Sequence, residues 1–325
     1  MINTNNIIHH SHSVVDFFDS YMQTLTTPTF ISRIGGSDFE IVCDYYNDKN
    51  VINNDDWYRK SVRKVKELNG YFDFNNDKLC FQQYLENMIT YYISSDVIGY
   101  AGKQEKHIKF LLKGKSKYDP AYESFVSLIS ANKILFNWNQ FIQPVTPFLK
   151  SFKSWGHGKT ILIMSPFSKS IEYQYARKDM LFNNYRYPDF TLKTYNTPIT
   201  YNCDLDSNSN LNIETQDWHA ACNKMALDIQ DIEFDIALLS CGSYAMFLGN
   251  YIKTTMHKHA IYFGGSLNLY FNIYGQRFDK LYSSIGLNPD YLITALENSD
   301  VEKIHGGRVY ENESLNAYFG TKPND

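Results

Sequence analysis

The stretch Asp235–Arg277, DIALLSCGSYAMFLGNYIKTTMHKHAIYFGGSLNLYFNIYGQR, decides the fold. IALLS and AIYFGG are short apolar runs, each closed by a glycine turn and separated by a helical pattern of about a dozen residues, which is a βαβ unit. In such a unit each strand-to-helix turn opens at the carboxyl edge of a parallel sheet, where free backbone N–H groups face a ligand. Cys241-Gly242-Ser243 and Gly264-Gly265-Ser266 are two turns of this kind. Together they point to an anionic small molecule, most simply the phosphates of a nucleotide.

The same grammar extends upstream. TILIMSP is a strand that turns at Ser165-Pro166-Phe167-Ser168 into a helix expected to reach Phe182. FTLKTYN is another strand, and Thr215 to Ile229 another helix. Four strands alternating with helices call for a mainly parallel sheet. The first half carries one more strand–turn–helix, TFISRI-Gly35-Gly36-Ser37 followed by a helix from Asp38 to about Tyr46. Its apolar stripe, Phe39, Val42, Cys43 and Tyr46, keeps spacings of three and four. Tyr58 to Leu68 is a basic amphipathic helix whose charges read as a solvated face. The expected architecture is a single Rossmann-like α/β domain with extra N-terminal helices: residues 1–155 carry RIGGSDFE, and 156–325 form the regular βα part. The loop Asp204 to Asn212 reads as its most flexible segment.

Composition narrows the classes. With 43% hydrophobic and 20% charged residues, 325 residues can bury a full core. A net charge of −4 lacks the basic excess of a dedicated nucleic-acid binder. Five cysteines, Cys43, Cys80, Cys203, Cys222 and Cys241, are scattered without CxxC spacing and read as reduced thiols rather than zinc ligands. His9, His10 and His12 read as a polar tail. No run reaches the ~18 apolar residues of a transmembrane helix, and MINTNNIIHHSHS lacks the basic and apolar regions of a signal peptide. The expected location is the cytoplasm.

Three turns of the second half could face one cleft, with Ser168, Gly242, Ser243, Tyr244, Gly264, Gly265 and Ser266 as candidate ligand contacts. Glycine lets a ligand approach the backbone, and serine caps a helix or bonds a phosphate oxygen. The plainer alternative is that the serines are caps and the glycines only turns. No turn matches GxGxxG or a Walker A loop. Asp38 and Glu40 stand two apart at a helix start, so on a continuing helix they do not face each other. One can enter a cleft, as base, sugar-hydroxyl acceptor or metal ligand, while the other is solvated. An acidic first turn that merely complements the helix dipole is the competing reading.

Taken in order, SRIGGSDFEIV, GKTILIMSPFSKSIEYQY, PDFTLKTYNTP, DIALLSCGSYAMFLGNYIK, KHAIYFGGSLNLYFNIYGQRF and the closing VEKIHGGRVYENESLNAYF resemble the glycosyltransferases of the GT-D fold. The resemblance runs from about Phe30 to Tyr318. It implies a Rossmann-like fold that transfers a sugar from a nucleotide diphosphate sugar to a glycan or glycoconjugate acceptor. It also implies a divalent cation, Mn²⁺ or Mg²⁺, near an acidic D-x-E motif. Counting from Arg33, the family glutamate falls on Asp38 and its aspartate on Gly36; the literal D-x-E, Asp38-Phe39-Glu40, is displaced by two residues. Arg33, Gly35, Pro166-Phe167, Cys241-Gly242-Ser243-Tyr244 and Gly264-Gly265 match the family pattern directly, and Asn268 and Arg277 fit it. Asp38 and Glu40 are thus the candidate catalytic and metal-binding acids, with Asp38 first. Arg33, Gly35, Gly36 and Arg277 join the candidate donor contacts. His157, between Gly156 and Gly158, is the next base to test. Two other classes remain open: a non-catalytic nucleotide- or sugar-binding module of the same fold, and a Rossmann-like oxidoreductase, against which the missing dinucleotide fingerprint counts.

Overall fold

The computed structural model describes residues 7–8, 11–35, 38–100, 120–130, 133–138, 145–201, 214–282 and 285–297. The first strand, β1 (Ile7–Ile8), leads into α1 (Ser11–Thr24) and β2 (Phe30–Arg33). Three helices follow: α2 (Phe39–Asn47), α3 (Asp55–Asn69) and α4 (Lys78–Ser94). Then come β3 (Val97–Tyr100), α5 (Pro120–Ser130), β4 (Ile134–Asn137) and α6 (Val145–Gly156). The second half runs β5 (Thr160–Ser165), α7 (Ser168–Tyr175), β6 (Thr191–Asn196), α8 (Trp218–Asp228), β7 (Ile236–Leu239), α9 (Tyr244–Thr254) and β8 (His259–Tyr262). Two one-turn helices close it, α10 (Leu267–Tyr270) and α11 (Asp279–Tyr282).

All eight strands join one sheet in the order β1-β4-β3-β2-β8-β7-β5-β6, and every pairing is parallel. This is the Rossmann-like α/β arrangement expected from the alternating pattern. The two halves meet where β8 pairs with β2, with Phe30 opposite Ala260 and Ile31 opposite Ile261. Because parallel strands are covered on both faces, they read as continuous apolar runs, and their side chains separate between two cores with a period of two. Phe30, Ile98, Leu162, Ala237 and Ala260 face the core under α2, α3, α4, α5, α8 and α9. Their neighbours Ile31, Val97, Ile163, Leu238 and Ile261 face the core under α1, α6, α7 and the segment from Leu267 to Ala295.

Most element boundaries follow the sequence pattern, and the departures have local causes. The helix expected to reach Phe182 stops at Tyr175. The chain turns there so that Leu181 and Phe182 enter the core, Phe182 bridging to Leu287. The helix expected from Thr215 begins at Trp218 because the Asp217 carboxylate caps it, accepting the Ala220 N–H at 2.8 Å. The polar stretch after α2 holds a short 3₁₀ turn, Lys49–Asn53, capped by the Asp48 side chain. The basic helix α3 keeps its charges on a solvated face: Lys60 pairs with Asp56 and Arg63 with Glu67 within the helix, and Lys64 reaches Glu40 of α2. Cys43, Cys80, Cys222 and Cys241 are free thiols. Cys203, the loop Asp204 to Asn212, His9 and His10 and the closing segment from Val301 lie outside the described residues. No described helix is long and apolar enough to cross a membrane.

Gly249 is the point at which α9 lies closest to the sheet. A Cβ there would stand 2.0 Å from Phe30 Cε2, and Phe30 is fully buried. Two effects oppose each other in Gly249→Ala: helix propensity favours alanine by about 1 kcal/mol, and overpacking costs about 1–3 kcal/mol. The fully buried ring has no open space to move into, so overpacking wins. Chemical denaturation should show a lowered midpoint for Gly249→Ala; a raised midpoint would contradict the close approach of α9 and β2.

Candidate functional site

With every strand parallel, all strand-to-helix turns open on one edge of the sheet. The turns after β2, β7, β8 and β5 therefore share an edge, as the common cleft requires. From β2 the chain passes to α2 on one face, whereas from the adjacent β8 it passes to α10 on the other. Neighbouring strands whose chains leave toward opposite faces frame the usual ligand position of open α/β sheets at the carboxyl edge; β7 and β8 diverge in the same way, but there the β7 turn is filled by protein groups. Arg33 and Asp38 border the β2–β8 crevice from β2, and the Gly264 turn borders it from β8.

Arg33 ends β2 and lays its guanidinium over the Tyr262 ring, 4.8 Å from the centroid. The same group fills the space that a side chain on Gly264 would need: a Cβ there would lie 2.6 Å from Arg33 Cζ. Gly264 also has φ +61°, the left-handed region that favours glycine. Gly35 is glycine for a matching reason, since a Cβ would meet Asp38 Oδ1 at 2.0 Å. Its N–H donates to the Tyr92 hydroxyl at 3.3 Å.

Asp38 is buried at the start of α2, yet its side chain makes no cap there. Its Oδ1 is buried without a hydrogen-bond partner. Burial pushes its pKa up from the ordinary 3.8, opposed first by its own backbone N–H and then by Asn69, the Arg33 charge and the Phe39 N–H. Tyr84 and Tyr92 lie close enough to feel the Asp38 charge, and burial above all holds their hydroxyls well above the ordinary 10.0. A carboxyl group with an open acceptor, an arginine beside it and neutral tyrosines around it suits a sugar hydroxyl, or a proton taken from one. Asn268, in α10, is fully buried, and both polar atoms of its amide lack partners among the described residues.

Glu40 does not share this place. It is half-exposed on the outer side of α2 and pairs with Lys64 of α3 at 3.0 Å. Residues two apart on a helix diverge, and here they do. The donors for a cation do not converge: Asp38 is buried beside a guanidinium, and Glu40 is turned to a lysine. Among the described residues no three His, Cys, Asp or Glu side chains are grouped to hold a metal ion. The residues present therefore do not fit the cation that the resemblance implies.

The remaining candidates divide. Gly242 has φ +61°, and a Cβ there would meet the Asn69 carbonyl oxygen at 2.8 Å and the Tyr201 hydroxyl at 3.0 Å. Protein atoms thus already occupy the approach to its backbone. The Ser243 N–H and hydroxyl both donate to that Asn69 carbonyl, at 3.0 and 2.9 Å, and the Trp218 indole donates to the Ser243 hydroxyl at 2.9 Å. The Tyr244 hydroxyl shares a hydrogen bond with Thr200 at 2.8 Å. Ser168 bonds Asn196 at 3.1 Å, and the first turn of α7 receives a carboxylate from its own chain: Glu297 accepts the Ser170 N–H at 3.0 Å and the Ser170 hydroxyl. The Ser266 hydroxyl is spent on the Phe263 carbonyl at 2.8 Å. The structure therefore gathers Arg33, Gly35, Asp38, Gly264 and Gly265 around the β2–β8 crevice, and closes the β7 and β5 turns with protein groups. His157 is exposed just ahead of β5, at the amino edge of the sheet, across from this crevice. Gly36 and the Arg277 side chain lie outside the described residues. Asn69, Tyr84 and Tyr92 were not found from sequence; they come from α3 and α4, which follow no strand and carry no motif.

No protein-family model matches the chain, and no curated protein matches it. Two solved structures are similar to it. One is a selenomethionine-substituted domain of unknown function 1792, at TM-score 0.44 and 10% identity over 82% of this chain and 80% of that one. The other is described as the highly conserved domain of unknown function 1792 with a distinct glycosyltransferase fold, at TM-score 0.43 and 11% identity over 80% and 78%.

The burial of Asp38 has a consequence for stability. A carboxyl whose folded pKa is raised holds its proton longer in the folded than in the unfolded chain, so its contribution is present at low pH and lost as pH rises through the folded pKa. Asp38→Asn keeps the shape and removes the charge. Melting curves should give similar stabilities for the variant and the wild type at about pH 4, with the variant gaining on the wild type as pH rises. A variant that loses stability at neutral pH would contradict the burial of an uncompensated carboxylate.

Proposed function

We propose that this chain is a glycosyltransferase that moves a sugar from a nucleotide diphosphate sugar to a glycan or glycoconjugate hydroxyl at the β2–β8 crevice. The observation that carries the proposal is the buried, open carboxyl oxygen of Asp38 beside Arg33, where α2 and α10 part. The resemblance of the ordered sequence blocks to GT-D glycosyltransferases supports the same assignment.

In this reading Arg33 faces the diphosphate. A planar guanidinium stacked on Tyr262 is pre-organised to bond phosphate oxygens in pairs. Its charge stabilises the nucleoside diphosphate as the bond from the sugar C1 to the leaving oxygen breaks. Gly264, by lacking a side chain, lets the Arg33 guanidinium lie against the turn after β8, so the charge that meets the phosphates stands at that turn. Asp38 takes the proton of the acceptor hydroxyl as its oxygen bonds to C1. A carboxylate whose pKa is raised by burial is the stronger base for that transfer. Asn268 offers one donor and one acceptor to the bound nucleotide; buried amide atoms left unpaired cost about 1–3 kcal/mol each, which a ligand would offset. No step depends on a cation.

A binding module that keeps the crevice without chemistry is the second reading, favoured by the ion pair that takes Glu40 out of the site. Donor turnover separates the two. A thermal-shift screen of UDP-, GDP-, CMP- and dTDP-sugars should single out one nucleotide, since a ligand at about 100 times its Kd stabilises by about 2.7 kcal/mol. With that donor, Asp38→Asn should lower turnover by about 10²-fold or more, and Glu40→Gln should leave it close to wild type. Binding of the donor with no turnover under any acceptor would establish the module instead.

Arg33 gives a separate prediction. Arg33→Ala should weaken donor binding by about tenfold or more, because a charge-assisted hydrogen bond to phosphate contributes roughly 1.5–3 kcal/mol. Titration calorimetry with the free nucleoside diphosphate reads this without turnover. Equal affinity in a folded Arg33→Ala protein would move the phosphates away from β2.

A further inference from the structure

Ser240 interrupts an apolar run. β7 reads IALL and passes through Ser240 to Cys241, at a place where buried parallel strands ordinarily carry apolar side chains. Ser240 is itself buried, and its hydroxyl donates to the Gly264 carbonyl at 2.9 Å. Its N–H donates to the Met164 carbonyl of β5 at 2.8 Å, and one residue earlier the Leu239 carbonyl accepts the Phe263 N–H at 2.9 Å. The turn after β8 is thus tied to the end of β7 by a side chain as well as by the backbone, and that end is tied in turn to β5. Gly264 is the residue whose missing side chain admits the Arg33 guanidinium: a Cβ there would lie 2.6 Å from both Arg33 Cζ and Nη2. The other wall of this seat is the Tyr262 ring, with Arg33 Cζ 4.8 Å from its centroid.

We infer that Ser240 is a positioning residue for donor binding: by holding the Gly264 carbonyl it keeps the turn after β8 in the place where the Arg33 guanidinium lies between that turn and the Tyr262 ring. The inference rests on the reading of Arg33 as the group that meets the phosphates. An arginine side chain has many rotamers, and holding it in one before the ligand arrives reduces what binding must order. Gly264, at φ +61°, is the joint of the turn. Its carbonyl also bonds the Leu267 N–H inside the turn, but among the described residues Ser240 holds it from another strand. Without the hydroxyl the turn keeps its own bonds and loses that external hold, so one wall of the seat shifts and the guanidinium moves with it. Ser266 makes a useful contrast. Its hydroxyl donates to the Phe263 carbonyl three residues back, at 2.8 Å, and fixes nothing to β7.

Ser240→Ala deletes one oxygen and leaves the backbone bonds with Met164 and Phe263 in place. Titration calorimetry with UDP, GDP or dTDP, according to the donor that the thermal-shift screen selects, should show affinity lower by about three- to tenfold, the range of one neutral hydrogen bond. A lowered melting temperature with unchanged affinity would mean that the hydroxyl serves the fold alone, and would overturn the inference. Ser240→Thr keeps the hydroxyl and should bind more tightly than Ser240→Ala whatever its extra methyl does to stability; weaker binding than Ser240→Ala would overturn the inference. In an Arg33→Ala background the Ser240→Ala loss should largely vanish, since residues acting through one group are not additive. Equal losses in both backgrounds would contradict a role through Arg33. The Arg33 Nε–H signal in NMR, assigned by its loss in Arg33→Ala, gives a readout without any nucleotide. The Tyr262 ring shifts that signal in the wild type, and Ser240→Ala should move it toward that of an unstacked arginine; an unmoved signal would overturn the inference. Failure of the parent reading looks different: Arg33→Ala would bind the diphosphate as tightly as the wild type, while the NMR result would still hold.

Discussion

The pairing of β8 with β2 is the contact on which the rest of the structure depends. β8 ends the regular βα half, and β2 opens the strand–turn–helix that carries Asp38, yet they lie side by side and parallel. Only this insertion makes a single sheet of the two halves. It also sets a strand whose chain leaves toward one face beside a strand whose chain leaves toward the other. That divergence frames the carboxyl edge between β2 and β8, whereas the similar divergence between β7 and β8 is filled by Asn69. Phe30, packed beneath Gly249 of α9, secures the pairing from one face.

Charge at this crevice is arranged sparingly. One guanidinium lies on an aromatic ring, and one carboxyl is buried among neutral hydroxyls and an amide. Burial disfavours the charged carboxyl more than its partners favour it, so its charged form is costly to fold. Elsewhere the chain satisfies its turns with its own atoms. The Asn69 carbonyl takes both donors of Ser243, and the Glu297 carboxylate takes the first turn of α7. The contrast between turns that are filled and a carboxyl that is left open is what directs attention to β2 and β8.

Much of this was legible in the sequence. Alternating apolar runs and glycine turns gave the parallel sheet, because buried parallel strands must be apolar on both faces and their turns must bend sharply. Asp38 stood out as an acid beside a glycine turn, and the divergence of Asp38 from Glu40 followed from helical spacing. What pattern alone could not supply was which turns the protein itself would fill. A serine after a glycine reads the same whether its N–H meets a phosphate or, as at Ser243, a carbonyl brought in from α3. Asn69 carries no motif, since its importance comes from a contact across more than 170 residues of chain. The short helix α7 likewise ended early for a tertiary reason, the burial of Leu181 and Phe182 against the segment near Leu287.

The central claim is that the nucleotide diphosphate lies at the β2–β8 edge, against Arg33 and the Gly264 turn, with the unpaired Asp38 carboxyl oxygen meeting the sugar. A crystal structure of the chain bound to a nucleoside diphosphate tests it most directly. The account requires phosphate oxygens within hydrogen-bond reach of the Arg33 guanidinium, with the Asn69–Ser243 contact intact. Phosphates seated on the first turn of α7 in place of Glu297, or at the amino edge near His157, would contradict it.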